Sequence, residues 1–346
     1  MPVLSRRRLT AGLAVSVLTL TTLTACGTPE SVNDKTANAD NEACAPDLAK
    51  LEFGLISAES ENKLKSVWEP LLEEMSEALE RPVVGFYAPD YASVTEAMGT
   101  SKVQVAWFGG KSYIEAAERA GAEAFAQTVA LDGTKGYYSH LITNKDNAIA
   151  AEVDLGAGNG DQYVVENAAE LTFAFNDPGS TSGFLVPTYY IFAQQGVNAE
   201  KIFSELIYMG SHEATALAVA ENQVDVATNN SENLDRLKVA APEALEKLQI
   251  IWTSPIIPSD PLAYHQELPD CLKESIQTFF FNYDNEAVLT GLQWSGLDPA
   301  SDEDWDTIRE LQIAKDILEV QNDGTFSETA KKAKLAELEA KLEALN

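Results

Sequence analysis

Three adjacent hydroxyl side chains are the residues of this sequence best suited to chemistry. Ser180, Thr181 and Ser182 follow a Pro-Gly turn and stand where a helix should begin after the apolar, strand-like run 171–175. The first N–H groups of a helix have no acceptor within the helix, and the helix dipole favours negative charge at this end. Hydroxyl groups add further donors without a Lys or Arg. The segment therefore predicts a site for a tetrahedral oxyanion, although an ordinary Ser/Thr helix cap would have the same sequence.

Tyrosine and histidine side chains elsewhere could complete such a site. Tyr91 comes shortly after a predicted strand that ends near Tyr87, and Tyr137 and Tyr138 precede another apolar strand. A tyrosine at a strand end can donate its hydroxyl to an anion or present its ring to a cation. His212 stands where a helix is expected to begin, a position suited to an oxyanion donor. Each of these residues alone is equally compatible with packing or with a plain helix end.

Two acidic residues could receive a positively charged group. Glu232 lies where a buried strand passes into a helix, and Asp260 lies in the extended, proline-framed segment 254–261. Together the carboxylates could bind an ammonium group. In a chain with 54 acidic residues, each could also be a solvated surface charge.

The N-terminus has the pattern of an export signal. Three arginines at 6–8 precede the apolar segment 9–20, which is too short to span a membrane comfortably. Leu23-Thr24-Ala25-Cys26 resembles a bacterial lipobox, which predicts a signal peptide over residues 1–25 and Cys26 as the lipidated first residue of the mature protein. Both the Sec and the twin-arginine routes fit the arginine cluster. The polar tract that follows predicts a flexible tether over residues 26–47.

Charge and cysteine content restrict the class of protein further. The chain has 24 basic residues, three of them in residues 1–25, so the mature part would have 21 against 54 acids, a formal charge of −33. Such an excess of acid excludes nucleic acid as an expected partner. Cys44 and Cys271 would remain in an exported chain, where they could form a disulfide or stay as two separate buried thiols.

Elements that could position these residues are short apolar strands alternating with amphipathic helices, which is α/β patterning. About 300 residues after the tether suggest two domains. A weak sequence similarity between residues 97–107 and 218–228 favours two similar lobes. The sequence of residues 156–160 predicts an exposed loop. The stretch 327–346, rich in Ala, Glu, Lys and Leu, predicts a helical tail that either docks on the body or projects from it.

Six of these segments, taken in order, resemble the phosphonate-binding PhnD family of bacterial ABC transporters over roughly Leu51 to Tyr283. The segments are Asp90-Tyr91, Gly136–Ser139, Pro178–Phe184, Gly210–His212, Val224–Leu234 and Ser254–Pro261. The resemblance implies a two-lobed periplasmic-binding-protein fold that closes on its ligand about two crossing hinge strands. It places lobe 1 at residues 48–140 and 258–346, including the C-terminal helical tail, and lobe 2 at residues 141–257.

The resemblance also implies roles for the candidate residues. The phosphonate oxygens would be held by Ser180, Thr181, Ser182, His212, Tyr91 and one of Tyr137 and Tyr138. The ammonium of an aminophosphonate, 2-aminoethylphosphonate above all, would be held by Glu232 and Asp260. The implied partners are a transporter permease and, through it, an ATPase, with a lipid anchor to the membrane, and no cofactor is implied.

Three other interpretations compete with this one. An exported hydrolase could use a serine from 180–182 with His212 and Asp225, but the segment lacks a Gly-x-Ser-x-Gly elbow, and only three histidines are available for a metal. A surface adhesion or scaffold lipoprotein would leave the hydroxyl cluster without a role. A binder of phosphite, methylphosphonate or phosphate would have no use for Glu232 and Asp260.

Overall fold

The computed structural model describes residues 44–153 and 155–345, in which strands alternate with helices. The predicted signal peptide, Cys26 and the tether up to residue 43 lie outside the described residues. The strands are β1 (Leu51–Leu55), β2 (Val83–Tyr87), β3 (Val105–Trp107), β4 (Ala122–Ala130), β5 (Ser139–Asn144), β6 (Thr172–Phe175), β7 (Glu205–Tyr208), β8 (Val226–Asn230), β9 (Leu248–Thr253), β10 (Pro261–His265) and β11 (Trp294–Pro299).

Amphipathic and short connecting helices cover both faces of the sheets. The helices are α1 (Glu61–Ala78), α2 (Tyr91–Gly99), α3 (Gly110–Ala120), α4 (Ile149–Glu152), α5 (Gly160–Glu166), α6 (Ala199–Ile202), α7 (His212–Ala220), α8 (Ser231–Ala240), α9 (Pro242–Lys247), α10 (Asp270–Phe281), α11 (Glu286–Leu292), α12 (Asp306–Asn322) and α13 (Glu328–Ala344). A further helical run covers residues 181–195 and consists largely of π-helical turns.

One sheet has six strands in the order β11-β4-β10-β3-β1-β2. The strands β1, β2 and β3 are parallel because α1 and α2 form crossover connections between them, whereas β10 and β11 pair antiparallel with their neighbours. Apolar residues of β1 and of the buried face of α1 fill the core of this sheet; the rings of Phe53 and Trp68 lie 5.4 Å apart.

The second sheet has five strands in the order β7-β6-β8-β5-β9. Parallel pairs join β6 to β7 and to β8, and β5 is antiparallel to β8 and β9. A separate core forms here, in which the ring of Phe173 packs against Phe175, Phe192 and Phe203. Two sheets, each with its own hydrophobic core residues, confirm the predicted α/β fold with two lobes.

The chain crosses between the sheets through residues 131–138 and 254–260. The two crossing segments pair with each other, since Tyr137 N donates to Ile257 O at 3.0 Å and Ile257 N donates back to Tyr137 O at 2.8 Å. Strand β5 begins at Ser139, so the predicted lobe boundary after residue 140 falls two residues inside the second sheet. The other predicted boundary, after residue 257, falls within a crossing segment. We propose that the lobes move about these two segments.

The C-terminal tail is helical and docks on the body. Helix α13 begins after Ser327, whose hydroxyl accepts from Ala330 N at 3.3 Å, and its Leu338 is buried against α12. Helix α12 in turn contacts both α3 and the helical run 181–195. The tail therefore docks on a helix that contacts elements packed on both sheets.

A disulfide joins Cys44 to Cys271 at the start of α10, with 6.0 Å between the Cα atoms. The sequence left this pairing open. Arg81 also donates to the carbonyl oxygen of Cys44. Residues 44–47, which the sequence assigned to the tether, thus belong to the folded body. Among the described residues, no helix combines the length and the hydropathy needed to cross a membrane.

Candidate ligand-binding cleft

A narrow cleft lies between the two sheets. Most of the residues that line it follow the carboxyl ends of the strands β1, β2, β3, β6, β7 and β8, whereas Tyr137 and Asp260 lie in the two crossing segments. Ligands of α/β proteins bind at such strand ends. Its free volume is about 10 Å³, which is room for about one water molecule, so a ligand can enter only if the lobes separate. Eight of the nine predicted ligand-binding residues line this cleft: Tyr91, Tyr137, Ser180, Thr181, Ser182, His212, Glu232 and Asp260.

The three hydroxyl groups line the cleft, and each side chain is at most 2% exposed. Every one of their oxygens accepts a hydrogen bond from an N–H group, which leaves its own O–H free to donate. The donors are Gly183 N to Ser180 Oγ at 3.0 Å, Lys111 N to Thr181 Oγ1 at 2.8 Å and Asn230 Nδ2 to Ser182 Oγ at 3.2 Å. This pattern orients three hydroxyl protons for an anion.

The backbone of the hydroxyl segment is tightly held. Leu185 N donates to Ser180 O at 3.1 Å, five residues back, so the helix opens with a wide π-helical turn. A Cβ on Gly183 would lie 2.1 Å from Asn176 Oδ1, so only glycine fits there. Thr228 Oγ1 donates to Gly183 O at 2.8 Å and ties this turn to β8.

His212 is buried at the first residue of α7 and faces the same hydroxyl groups. Its Nε2 lies 3.5 Å from both Ser180 Oγ and Ser182 Oγ and 3.3 Å from Asn230 Nδ2. Burial lowers the pKa of His212 to about 3, so the ring is neutral at neutral pH. The neutral ring has a single N–H group, and only the tautomer with that proton on Nε2 would donate to an anion in the cleft.

Of the three candidate tyrosines, Tyr91 and Tyr137 line the cleft and are 2% and 4% exposed. Burial raises the pKa of both hydroxyls far above the usual range, so they remain O–H donors. The structure does not bring Tyr138 into the cleft, and its side chain is 39% exposed. The reason is that successive side chains of an extended segment point in opposite directions, so only one of the two neighbours can face the cleft.

The predicted carboxylates, Glu232 and Asp260, also line the cleft. Burial raises the pKa of Asp260 well above its usual value, and the negative charge of Glu232 raises it further. Burial likewise raises the pKa of Glu232. Within the described residues, Asp260 Oδ1 and Trp107 Nε1 are buried and form no hydrogen bond of good geometry, but Tyr137 and Trp107 lie close enough to lower the pKa of Asp260 in part. The acid pair thus has unused capacity to bind a cationic donor.

Sequence reasoning missed two charged residues of the cleft, Arg236 and Glu59. Arg236 Nε lies 2.7 Å from Glu59 Oε1, and both side chains are less than one-fifth exposed. The available signal was that Arg236 follows Glu232 by four residues on α8, which places both on one helix face. Glu59 lies 177 positions before Arg236, so the local sequence around either residue could not indicate their contact.

The residues of the hydrolase interpretation do not form a triad. Both carboxylate oxygens of Asp225 are bound elsewhere, by Asn147 Nδ2 and by the N–H and hydroxyl of Thr172. In the described part of the chain, His212 Nδ1 has no hydrogen-bond partner that could orient the ring as a base. The described residues also contain no group of three potential metal ligands.

Comparison with known proteins identifies the kind of protein that has this cleft. Residues 53–305 match the family model described as "ABC transporter, phosphonate, periplasmic substrate-binding protein". The "Phosphonates-binding periplasmic protein" of Escherichia coli K12 is 45% identical over 300 residues, which are 86% of this chain and 86% of that protein.

Solved structures give the same result. A binding protein component of an ABC phosphonate transporter from Pseudomonas aeruginosa superposes with a TM-score of 0.80 and 43% identity, over 85% of this chain and 96% of that one. A Prochlorococcus marinus protein solved in complex with methylphosphonate has the same fold, with a TM-score of 0.67 and 21% identity, over 76% of this chain and 97% of that one.

Proposed function

Because the chain belongs to the periplasmic substrate-binding proteins of phosphonate ABC transporters, we propose that its preferred ligand is an aminoalkylphosphonate, with 2-aminoethylphosphonate as the best candidate. The observation that carries this proposal is the lining of the cleft, which combines neutral donors with the two carboxylates of Glu232 and Asp260. Proteins of this family bind substrate for transport and are not enzymes.

The proposed phosphonate end uses the hydroxyls of residues 180–182 with His212, Tyr91 and Tyr137. All of these groups are neutral at pH 7, because burial keeps the tyrosines protonated and His212 unprotonated. Hydrogen bonds to a charged acceptor contribute about 1.5 to 3 kcal/mol each, so a set of oriented neutral donors is enough to hold a phosphonate.

The proposed ammonium end consists of Glu232 and Asp260. Two carboxylates held together in a buried site repel each other, and this repulsion is relieved when a cation lies between them. An ammonium group can also donate to Asp260 Oδ1, which is otherwise unpartnered within residues 44–153 and 155–345.

A simple phosphonate, phosphite or phosphate is the second candidate ligand. The observation that favours it is the ion pair between Arg236 and Glu59. The Arg236 guanidinium is an internal cation, so it partly neutralises the acids of the cleft even when the ligand has no amine. The relative solved with methylphosphonate supports this alternative. Isothermal titration calorimetry with 2-aminoethylphosphonate, ethylphosphonate, methylphosphonate, phosphite and phosphate distinguishes the two candidates. Equal affinity for the amino and the plain ligands would contradict the first.

The proposed cellular context is a lipid-anchored protein outside the cytoplasmic membrane. Support comes from the lipobox-like sequence ending in Cys26 and from the disulfide between Cys44 and Cys271, which is typical of oxidising compartments. As the binding component of an ABC transporter, the protein delivers its ligand to a membrane permease coupled to an ATPase. The anchor would keep it next to that permease.

A further inference from the structure

A guanidinium group lines the cleft together with the carboxylates. Arg236 pairs with Glu59 and lines the cleft together with Glu232 and Asp260. Burial alone would lower the pKa of Arg236, but the negative charges of these three acids outweigh burial and raise it. Three carboxylates thus share one internal cation.

The ion pair between Arg236 and Glu59 also connects the two sheets. Glu59 follows β1 of the six-stranded sheet, and Arg236 lies on α8, which follows β8 of the five-stranded sheet. A second ion pair joins the same two sides, with Lys63 Nζ 2.6 Å from Glu213 Oε1. Lys63 and Glu213 do not line the cleft, so they offer a matched control for closure alone.

We propose that Arg236 is a specificity-determining residue: its guanidinium is an internal counter-ion that lets the lobes close on a phosphonate that has no amine. This inference rests on the proposed function, in which Glu232 and Asp260 receive the ammonium. Closure on a plain phosphonate buries the acids with no cation from the ligand, so Arg236 must balance them. Closure on an aminophosphonate brings a second cation and depends less on the guanidinium.

Calorimetric titration with 2-aminoethylphosphonate and ethylphosphonate, which differ only in the amine, tests the inference. In Arg236→Gln, the affinity for ethylphosphonate should fall about tenfold or more relative to the affinity for 2-aminoethylphosphonate. The preference for the ligand with the amine should therefore rise by that factor. Arg236→Lys keeps the charge and should keep the wild-type preference within about threefold. Glu213→Gln should weaken both ligands by the same factor because it affects closure only.

A second variant keeps the test decisive if Arg236→Gln fails to fold, which thermal melting will show. Glu59→Gln leaves the guanidinium with one carboxylate fewer, so the preference for the amine should fall, opposite to Arg236→Gln. Equal losses of affinity for both ligands in Arg236→Gln would overturn the counter-ion role. A change in the preference for the amine in the same direction in Arg236→Gln and Glu59→Gln would also overturn it. Equal affinity of the wild type for the two ligands would instead refute amine recognition by Glu232 and Asp260. The opposite changes expected in the ratio of the two affinities in Arg236→Gln and Glu59→Gln would still decide the role of Arg236.

Discussion

Asp260→Asn should separate ligands with an amine from ligands without one. The side chain is 6% exposed, and its Oδ1 lacks a partner in the part of the chain that the structure describes. A hydrogen bond to a charged group contributes about 1.5 to 3 kcal/mol. Relief of the repulsion between Asp260 and Glu232 offsets part of that loss. We therefore expect 2-aminoethylphosphonate to lose about 2 kcal/mol, roughly thirtyfold in affinity.

Ethylphosphonate provides the matched comparison for the same variant. It has no ammonium, so Asp260→Asn should leave its affinity unchanged or improve it, because a negative charge near an anionic ligand is removed. Glu232→Gln should show the same separation. Calorimetric titration of the wild type and both variants with the two ligands measures it. Equal losses for both ligands would show that the acids support the fold or the hinge and do not bind the amine.

The raised pKa of Asp260 adds a pH dependence to this prediction. A buried acid whose native pKa lies above its unfolded value destabilises the protein at neutral pH. This destabilisation shrinks as the pH falls below the native pKa and is gone below the unfolded pKa. Asp260→Asn should therefore raise the melting temperature of the ligand-free protein at pH 7, and the difference from wild type should shrink on acidification. A difference that stays constant with pH would contradict a raised pKa.

Three further predictions concern the anion end, export and the disulfide. Thr181→Ala removes a donor and the contact with Lys111 N, so every phosphonate should bind about tenfold or more weakly by calorimetry; unchanged affinity would remove this segment from the site. Cys26→Ser should abolish the diacylglyceryl mass and release the protein or leave it unprocessed, whereas normal membrane retention would contradict a lipid anchor. Replacing Cys44 and Cys271 by Ala should lower the free energy of unfolding by about 3 to 5 kcal/mol in urea titrations and leave ligand affinity unchanged; an unchanged unfolding midpoint would show that the disulfide contributes little.

The sequence predicted the parts of the cleft that are local in the chain. The segment 180–182 carries three hydroxyls and its own helix start, so its position at the start of a helix follows from neighbouring residues. The choice between Tyr137 and Tyr138 could not be made, because it depends on how one crossing segment pairs with Ile257 of the other. Side-chain direction in an extended segment is set by pairing register, which the local sequence does not reveal.

The predicted loop at residues 156–160 shows the same limit. Its last residue, Gly160, is the buried first residue of α5, and a Cβ there would lie 1.8 Å from Ile251 O of β9. A glycine in a Gly/Asn-rich stretch predicts a flexible turn from composition alone. Here the glycine is needed because a strand 91 positions further along the chain approaches its backbone, a contact that the local sequence cannot indicate.

The overall acidity of the protein and its affinity for an anion are compatible because they act over different distances. The formal charge of −33 predicted for the mature chain would repel an incoming dianion, but surface charges more than about 8 Å away are largely screened at physiological salt. In the proposed binding mode, the uncharged hydroxyls of residues 180–182 would donate to the phosphonate inside the cleft. Recognition of the ligand's other end then depends on the local balance between the acids and Arg236. Substitutions on the acidic surface should therefore change how fast the ligand associates, whereas substitutions at Glu232, Arg236 and Asp260 should change which phosphonate is bound.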